Sequence, residues 1–136
     1  MIQILVVDDD RDLNGNICRY LNDCGFDASC ALSAQEAYEM MVNTLYDLII
    51  SDIMMPGIDG YEFAENVRSV NRNIPILFMS ARDDLTSKQR GFRLGIDDYM
   101  VKPIELAELE MRVRAILRRA NVETSRRITR YVIADS

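Results

Sequence analysis

The sequence predicts an α/β fold in which five parallel strands form a doubly wound sheet with helices on both faces. Short, β-branched apolar runs alternate with longer segments whose apolar residues recur at helical spacing. No tight hairpin turn joins consecutive strands, so the crossovers are helical and the strands parallel. The 136 residues, 49% of them hydrophobic, suffice for one compact domain with a buried core.

The first half of the chain contains two strand–helix units. Residues 2–7 are apolar and β-branched and end in aspartates, which indicates a buried strand that opens into a polar site. Residues 11–24 carry apolar side chains at helical spacing, and Gly25 ends that helix. A strand at 27–31 follows. Residues 33–44 form the second helix, because they begin with a Ser-x-x-Glu capping box.

The second half supplies three further units. In order they are strand 48–51, a turn-rich loop at 56–60 with a helix to about 68, strand 75–79, helix 85–94, strand 99–101 and helix 105–120. The last helix places its apolar residues on one face. Right-handed crossovers allow the flavodoxin-like strand order 2-1-3-4-5, although a family resemblance, and not the pattern alone, selects that order.

Composition excludes several classes of function. The formal charge of −6 argues against nucleic-acid binding by this domain, because phosphate contacts need a basic face. The chain has no histidine, and Cys18, Cys24 and Cys30 lack CxxC spacing, so a zinc site is not expected. Without a signal peptide or a membrane-length apolar run, the sequence predicts a cytoplasmic protein that does not enter the membrane.

Polar residues follow four of the five predicted strands. Residues 8–10 are all aspartate, Asp52 follows the third strand, Ser80 the fourth and Lys102 the fifth. Each has an ordinary structural explanation alone, as a solvated strand end, a helix N-cap or a turn. Because the carboxyl ends of parallel strands share one edge, we expect these side chains to meet across a shallow cleft there.

Such a cleft suits phosphoryl chemistry. Packed carboxylates repel one another unless a cation intervenes, and a hard oxygen site with room for water suits Mg²⁺ or Mn²⁺. A carboxylate can serve as the nucleophile and form an aspartyl-phosphate. Lys102 and Ser80 could then supply positive charge and a hydrogen bond to the phosphoryl oxygens.

The sequence resembles the CheY-like receiver domains of two-component response regulators over residues 2–120. Five separated motifs carry the resemblance, and their order and spacing make it specific. They are Ile4-Leu5-Val6-Val7-Asp8-Asp9, Asp47-Leu48-Ile49-Ile50-Ser51-Asp52, Met54-Met55-Pro56-Gly57-Ile58-Asp59-Gly60, Ser80-Ala81 and Lys102-Pro103. The resemblance implies a signalling switch phosphorylated by a sensor histidine kinase, with no catalysis beyond self-phosphorylation and slow autodephosphorylation.

The resemblance also assigns roles at the predicted cleft. Asp52 would be the phosphoacceptor, and Lys102 would pair with the phosphoryl group. The metal ligands would be Asp9 directly, Asp8 mostly through water, Asp52, and Met54 through its backbone carbonyl.

Two further residues would form the switch. Ser80 would bond a phosphoryl oxygen and move toward it on activation, and Tyr99 would swing inward when Ser80 moves. From the strand pattern alone, Tyr99 is expected to be half-buried at rest.

A closer resemblance is to the OmpR/PhoB subfamily, on residues 95–103 and the Arg-rich last helix. It implies a homodimer, when phosphorylated, through the face of helix 4, strand 5 and helix 5. The implied intersubunit pairs are Lys88–Glu108, Asp98–Arg112 and Asp97–Arg119. It also implies that residues 121–136 are a linker and the possible start of a truncated winged-helix DNA-binding domain, through which alone the protein would bind DNA and regulate transcription.

Two other functions compete on the same fold. A magnesium-dependent phosphohydrolase of the haloacid-dehalogenase type uses two aspartates after its first strand, a spacing that Asp8 and Asp10 share. The absence of a cap domain and the presence of Lys102-Pro103 favour the receiver. Flavin binding is disfavoured because no Ser/Thr/Gly-rich phosphate loop follows the first strand.

Overall fold

The computed structural model describes residues 1–120, and the linker and winged-helix prediction for 121–136 lies outside the described residues. Within residues 1–120, five strands alternate with five helices. The strands are β1 (Gln3–Val7), β2 (Asp27–Ala31), β3 (Leu48–Asp52), β4 (Ile76–Ser80) and β5 (Asp98–Val101). The helices are α1 (Arg11–Asp23), α2 (Ala34–Asn43), α3 (Gly60–Val70), α4 (Leu85–Arg93) and α5 (Leu106–Arg119).

All five strands are parallel, in the order β2-β1-β3-β4-β5, which confirms the predicted topology. The register pairs Val7 with both Ala31 and Ser51, so the carboxyl ends of the three neighbouring strands are level. Asp52 pairs with Met79, one residue before the end of β4. The ends of β1, β3 and β4 therefore form one edge of the sheet, where the predicted site lies.

The sheet separates two apolar cores. On one face, side chains such as Leu5 and Ile49 pack with residues of α2 and α3, whereas Ile4 and Ile50 on the other face pack with α1 and α5. Alternate side chains of each central strand point to opposite faces, and both faces are buried. To bury both faces, the central strands must therefore be apolar along their whole length. Each fully buried Leu or Ile contributes roughly 1.5–3 kcal/mol of transfer free energy.

The ends of the elements agree with the predictions to within one or two residues. Gly25 and Gly95 follow α1 and α4 with φ of +97° and +85°, a left-handed conformation that glycine adopts without strain. Ser33 caps α2 as expected, since its Oγ accepts a hydrogen bond from the Glu36 amide. The Glu36 carboxylate accepts from the Leu32 amide rather than from Ser33, so the reciprocal half of the capping box is displaced by one residue.

Within residues 1–120, none of the helices combines the length and apolar character that crossing a bilayer demands. Instead, each helix has one buried stripe. For α5, the stripe predicted from the sequence is confirmed: its buried residues are Leu109, Val113, Ile116 and Leu117, with Leu106 packed beside them. This packing fixes α5 beside β5, the strand that leads to Lys102.

Candidate functional site

The loop after β1 begins the site. Asp8 is fully buried at the end of the strand, and its amide donates to the Ala31 carbonyl across the β1–β2 edge. Its Oδ1 accepts from the Asp10 amide at 2.9 Å, which turns the chain into α1. Asp10 itself is the N-cap of α1 and accepts from two amides of the first turn. The carboxylate of Asp10 is thereby committed to the helix and not to the cleft.

Three carboxylates converge at this edge as predicted. One oxygen each from Asp8, Asp9 and Asp52 can be chosen so that all three lie within 4.8 Å of one another. Asp8 and Asp52 are buried, whereas Asp9 is exposed. The cluster therefore opens to solvent on one side, which leaves room for an ion to retain water.

Lys102, the residue that follows β5, adds an ammonium group to the cluster. Its ammonium nitrogen lies 3.0 Å from Asp8 Oδ2 and 3.2 Å from Asp52 Oδ2. Burial alone would lower the pKa of Lys102, but the hydrogen bond to Asp8 and the charge of Asp52 outweigh burial and raise its pKa. Lys102 is therefore held as a cation between the two buried carboxylates.

The Asp52 carboxylate is poorly solvated. Burial raises its pKa, and repulsion from Asp8 raises it further, whereas Lys102 and a hydrogen bond from the Met54 amide act in the opposite direction. Fewer water contacts leave its lone pairs available to an incoming electrophile, while the neighbouring cation favours the ionised form that attacks.

The fourth strand and the loop after it connect the cleft to Tyr99. Ser80 is fully buried at the end of β4, and its Oγ accepts from the Arg82 amide at 3.0 Å. The Tyr99 hydroxyl donates to the Arg82 carbonyl at 2.7 Å. Tyr99 is 7% exposed, so it is more buried than the half-buried tyrosine expected from the strand pattern. The Arg82 backbone links Ser80 with Tyr99 because it bonds both.

Met54 lies two residues beyond Asp52, in the loop between β3 and α3, and its side chain is 59% exposed. The loop is closed by the Gly60 amide, which donates to the Ile53 carbonyl at 2.8 Å. A Cβ at Gly60 would collide with the Asp52 carbonyl oxygen and would lie 2.6 Å from Ile53 Cα. Only glycine lets the start of α3 approach the phosphoacceptor strand this closely.

Five of the six residues predicted to pair between subunits have partners within the chain. Arg112 holds Asp98 through two contacts of 2.9 and 3.0 Å and Glu108 at 3.0 Å. Lys88 bonds Asp83 at 2.7 Å. The Asp97 carboxylate accepts from the Ile76 amide and lies 3.6 Å from Arg68. Arg119 is exposed.

Sequence reasoning missed Asn14, a fully buried polar residue of α1. Its side-chain amide donates to the carbonyls of Ala31 at 2.8 Å, Asp8 at 3.0 Å and Val6 at 3.3 Å. It therefore holds the loop that carries the acidic cluster. Its signal in the sequence is its position on the apolar stripe, three residues before Ile17, where a polar side chain needs a buried partner.

The donor set fits a divalent cation. Three carboxylates and one ammonium leave a formal charge of −3 + 1 = −2 at the cluster. All the side-chain donors are hard oxygens, as Mg²⁺ or Mn²⁺ requires, and soft ligands are absent from this cluster. The arrangement can hold such an ion beside a nucleophilic carboxylate and a cation.

Comparison with known proteins identifies this arrangement. The MprA response regulator of Mycobacterium ulcerans (strain Agy99) is 40% identical over 122 residues, which are 90% of this chain and 53% of MprA. The heme response regulator HssR of Staphylococcus aureus (strain bovine RF122 / ET3-1) is 37% identical over 129 residues, 95% of this chain and 57% of HssR. The chain thus spans about half the length of these curated relatives.

The fold agrees with a solved receiver. The receiver domain of the Francisella response regulator 1452 superposes with a TM-score of 0.82 and 34% identity, covering 88% of this chain and 98% of that domain. Residues 4–114 match the family model described as the response regulator receiver domain. The matched segment begins within β1 and ends within α5, so it includes all four strand ends that form the site. The chain belongs to the response regulator receiver domain family.

Proposed function

We propose that Asp52 accepts a phosphoryl group from a phosphohistidine of a sensor histidine kinase, and that this event switches the signalling state of the protein. The single observation that carries the proposal is the convergence of Asp8, Asp9 and Asp52, with the ammonium of Lys102 bound to Asp8 and Asp52. A purely structural cluster would not require three carboxylates at one solvent-facing edge, since their mutual repulsion costs folding free energy.

The transfer exchanges one bond to phosphorus for another. An oxygen of the Asp52 carboxylate attacks the phosphorus atom, and the bond from phosphorus to the donor nitrogen breaks with its electron pair leaving on the imidazole. Lys102 lies 3.2 Å from Asp52 and offsets the charge that accumulates on the phosphoryl oxygens. The Ser80 hydroxyl, at the end of the adjacent strand, donates to one of those oxygens.

Asp8, Asp9, Asp52 and the backbone carbonyl of Met54 would hold Mg²⁺ or Mn²⁺ here. When bound, the ion supplies positive charge that offsets the carboxylates and the phosphoryl group. Asp8 is buried and positioned by the Asp10 amide, so it serves as the rigid side of the site. Asp9 is exposed and can adjust to the ion.

The signal passes from Ser80 to Tyr99. Bonding to the phosphoryl group draws the Ser80 hydroxyl away from the Arg82 amide, which it bonds at 3.0 Å. Because the Arg82 carbonyl binds the Tyr99 hydroxyl, a shift of this loop changes the position of Tyr99 on the α4–β5 surface.

In the intact protein the receiver would control a winged-helix output domain that binds DNA, as the OmpR/PhoB resemblance implies. Support comes from the relatives, which are named response regulators and are about twice as long as the matched segment. Phosphorylation would favour a homodimer through α4, β5 and α5, in which pairs such as Asp98–Arg112 form between subunits. The exposed large apolar residues of α4 and α5 are Leu85, Phe92 and Met111.

The phosphoacceptor is tested with acetyl phosphate and Mg²⁺. The wild type should gain one acid-stable, base-labile phosphoryl group, detected by intact mass and located on the peptide that contains Asp52. Asp52→Asn should gain none, whereas the matched variant Asp23→Asn, which changes an exposed aspartate of α1, should be modified like the wild type. Rapid multiple turnover of unrelated phosphate esters would instead support a phosphohydrolase.

The dimer is tested by sedimentation with and without acetyl phosphate. Phosphorylation should shift the protein toward a dimer, and Arg112→Ala should weaken the shift because it removes the proposed intersubunit partner of Asp98. Within one chain, Arg112 pairs with Asp98 and Glu108. Arg114→Ala is the matched control, since Arg114 pairs with Glu110 on the same helix and contacts the Cys24 carbonyl beside α1. Dimerisation that is independent of phosphorylation would contradict the regulatory interface.

A further inference from the structure

Two cysteines lie against each other between α1 and β2. The sulfur atoms of Cys18 on α1 and Cys30 on β2 are 2.7 Å apart, with the Cys30 thiol donating to the Cys18 sulfur. The Cys18 thiol in turn donates to Asn14 Oδ1 at 3.4 Å. Ordinary nonbonded contacts between carbon atoms are about 3.5–4.0 Å, so the two sulfurs are far closer than simple packing requires.

The backbone around the pair is fixed independently of the thiols. Asn22 on α1 accepts from the Ala28 amide at 2.8 Å and donates to the Ala28 carbonyl at 3.3 Å, which holds the helix end on β2. A disulfide has a sulfur separation of about 2.05 Å, so an approach of roughly 0.7 Å is needed to close the bond. Side-chain rotation can supply a movement of that size.

We propose that Cys18 and Cys30 are an oxidisable pair that forms a disulfide between α1 and β2 in the presence of a peroxide. In the first step the Cys30 sulfur attacks one peroxide oxygen, the O–O bond breaks, and a sulfenic acid and water form. In the second step the Cys18 sulfur attacks that sulfenic sulfur, the S–O bond breaks, and the hydroxyl leaves as water with the Cys18 proton. Two thiols and one peroxide give one disulfide and two waters.

Exposure determines the order of the two steps. Cys30 is partly exposed and can meet a small oxidant, whereas Cys18 is 5% exposed and is shielded from solvent. Burial, followed by the hydrogen bond and the charge of Cys30, raises the pKa of Cys18, which disfavours Cys18 as the thiol that meets the peroxide first. Its contact with the Cys30 sulfur places it to resolve the sulfenic acid in the second step. In a reducing compartment, such a disulfide is transient and reports oxidant exposure.

The side chain of Asn14 connects the two cysteines to the acidic cluster. Asn14 accepts from Cys18 and also donates to the carbonyls of Asp8 and Ala31 beside the cluster. A disulfide has no S–H, so oxidation removes this donor from Asn14. We therefore expect weaker Mg²⁺ binding in the oxidised protein, by about threefold, the loss of one weak hydrogen bond.

Counting thiols tests the site itself. The wild type treated with hydrogen peroxide and then alkylated should lose two of its three alkylatable thiols, and dithiothreitol should restore them. A peptide map should join the peptides that contain Cys18 and Cys30. Cys24→Ser is the matched control and should form the same disulfide, whereas Cys30→Ser should keep both remaining thiols. Three thiols retained after treatment, or a link through Cys24, would overturn the proposal.

Calorimetric titration of Mg²⁺ into the reduced and oxidised protein tests the connection to the cluster. Equal affinities in the two states would overturn the connection through Asn14. This second readout rests on the proposed function: an absence of Mg²⁺ binding in both states would contradict the metal site and leave the disulfide, which the thiol count measures, standing.

Discussion

The ammonium nitrogen of Lys102 lies 3.2 Å from Oδ2 of Asp52, although Asp52 ends β3, Lys102 follows β5 and β4 lies between these strands. The same nitrogen lies 3.0 Å from Asp8, at the end of a third strand. One cation therefore serves two buried carboxylates that would otherwise repel each other. Lys102 favours the ionised form of Asp52 in a place where burial raises its pKa.

Removing this cation should impair phosphorylation. In Lys102→Met, burial and the charge of Asp8 act on Asp52 without the opposing charge of Lys102, so the pKa of Asp52 should rise further and less of the attacking carboxylate should be present. We expect acetyl phosphate to modify this variant at least about tenfold more slowly, since a charged donor to the transferred group is lost as well. Lys88→Met removes a lysine bound to the exposed Asp83 and should react at nearly the wild-type rate.

Close approach of α3 to β3 gives a second prediction. In Gly60→Ala the new Cβ would meet the backbone of Asp52 and Ile53, which cannot yield as a flexible side chain could. We expect a loss of about 2 kcal/mol or more in unfolding free energy by urea denaturation. Gly15→Ala has open space around its Cβ within α1 and should instead stabilise the protein by about 0.5–1 kcal/mol. Equal effects of the two substitutions would contradict this explanation.

The site residues could be predicted because they follow strands. Asp52 and Lys102 come directly after apolar runs, and parallel pairing alone carries such positions to one edge. For Asp10 the sequence left two roles open, a helix N-cap or a member of the acidic cluster, and the structure places it at the N-cap of α1. Capping by Asp10 also removes the second aspartate that the haloacid-dehalogenase alternative needs.

Contacts between elements could not be predicted from the sequence for a different reason. The bond from Tyr99 to the Arg82 carbonyl and the approach of Cys18 to Cys30 depend on how a helix or loop seats on the sheet. Local propensity contains no information on that seating. Charge pairing is equally ambiguous, because an aspartate and an arginine at suitable spacing, such as Asp98 and Arg112, can pair within one chain or between two.

Asn14 should be essential for stability. Asn14→Ala would leave three buried carbonyls, those of Val6, Asp8 and Ala31, without this donor, at an expected cost of about 2–4 kcal/mol in urea denaturation. Asn66→Ala is the control, since the Asn66 side chain donates to the Tyr38 hydroxyl at the surface and its loss should cost less than about 0.5 kcal/mol. A loss in Asn14→Ala no larger than the control would show that the loop does not depend on this amide.

The N-cap of α4 should make stability depend on acid pH. Asp84 accepts from the amide and the hydroxyl of Ser87 and from Arg82, and these bonds lower its pKa from 3.8 to about 2. Because the folded-state pKa lies below the unfolded one, its stabilisation is complete above about pH 4 and is lost as the pH falls toward 2. Asp84→Asn keeps a capping oxygen but does not titrate. The difference in urea midpoint between wild type and Asp84→Asn should therefore be constant above about pH 4 and shrink below it. A difference that persists unchanged to pH 2 would mean that the charge of Asp84 does not stabilise the start of α4. This start follows directly on the loop after β4, in which the Arg82 backbone bonds both Ser80 and Tyr99.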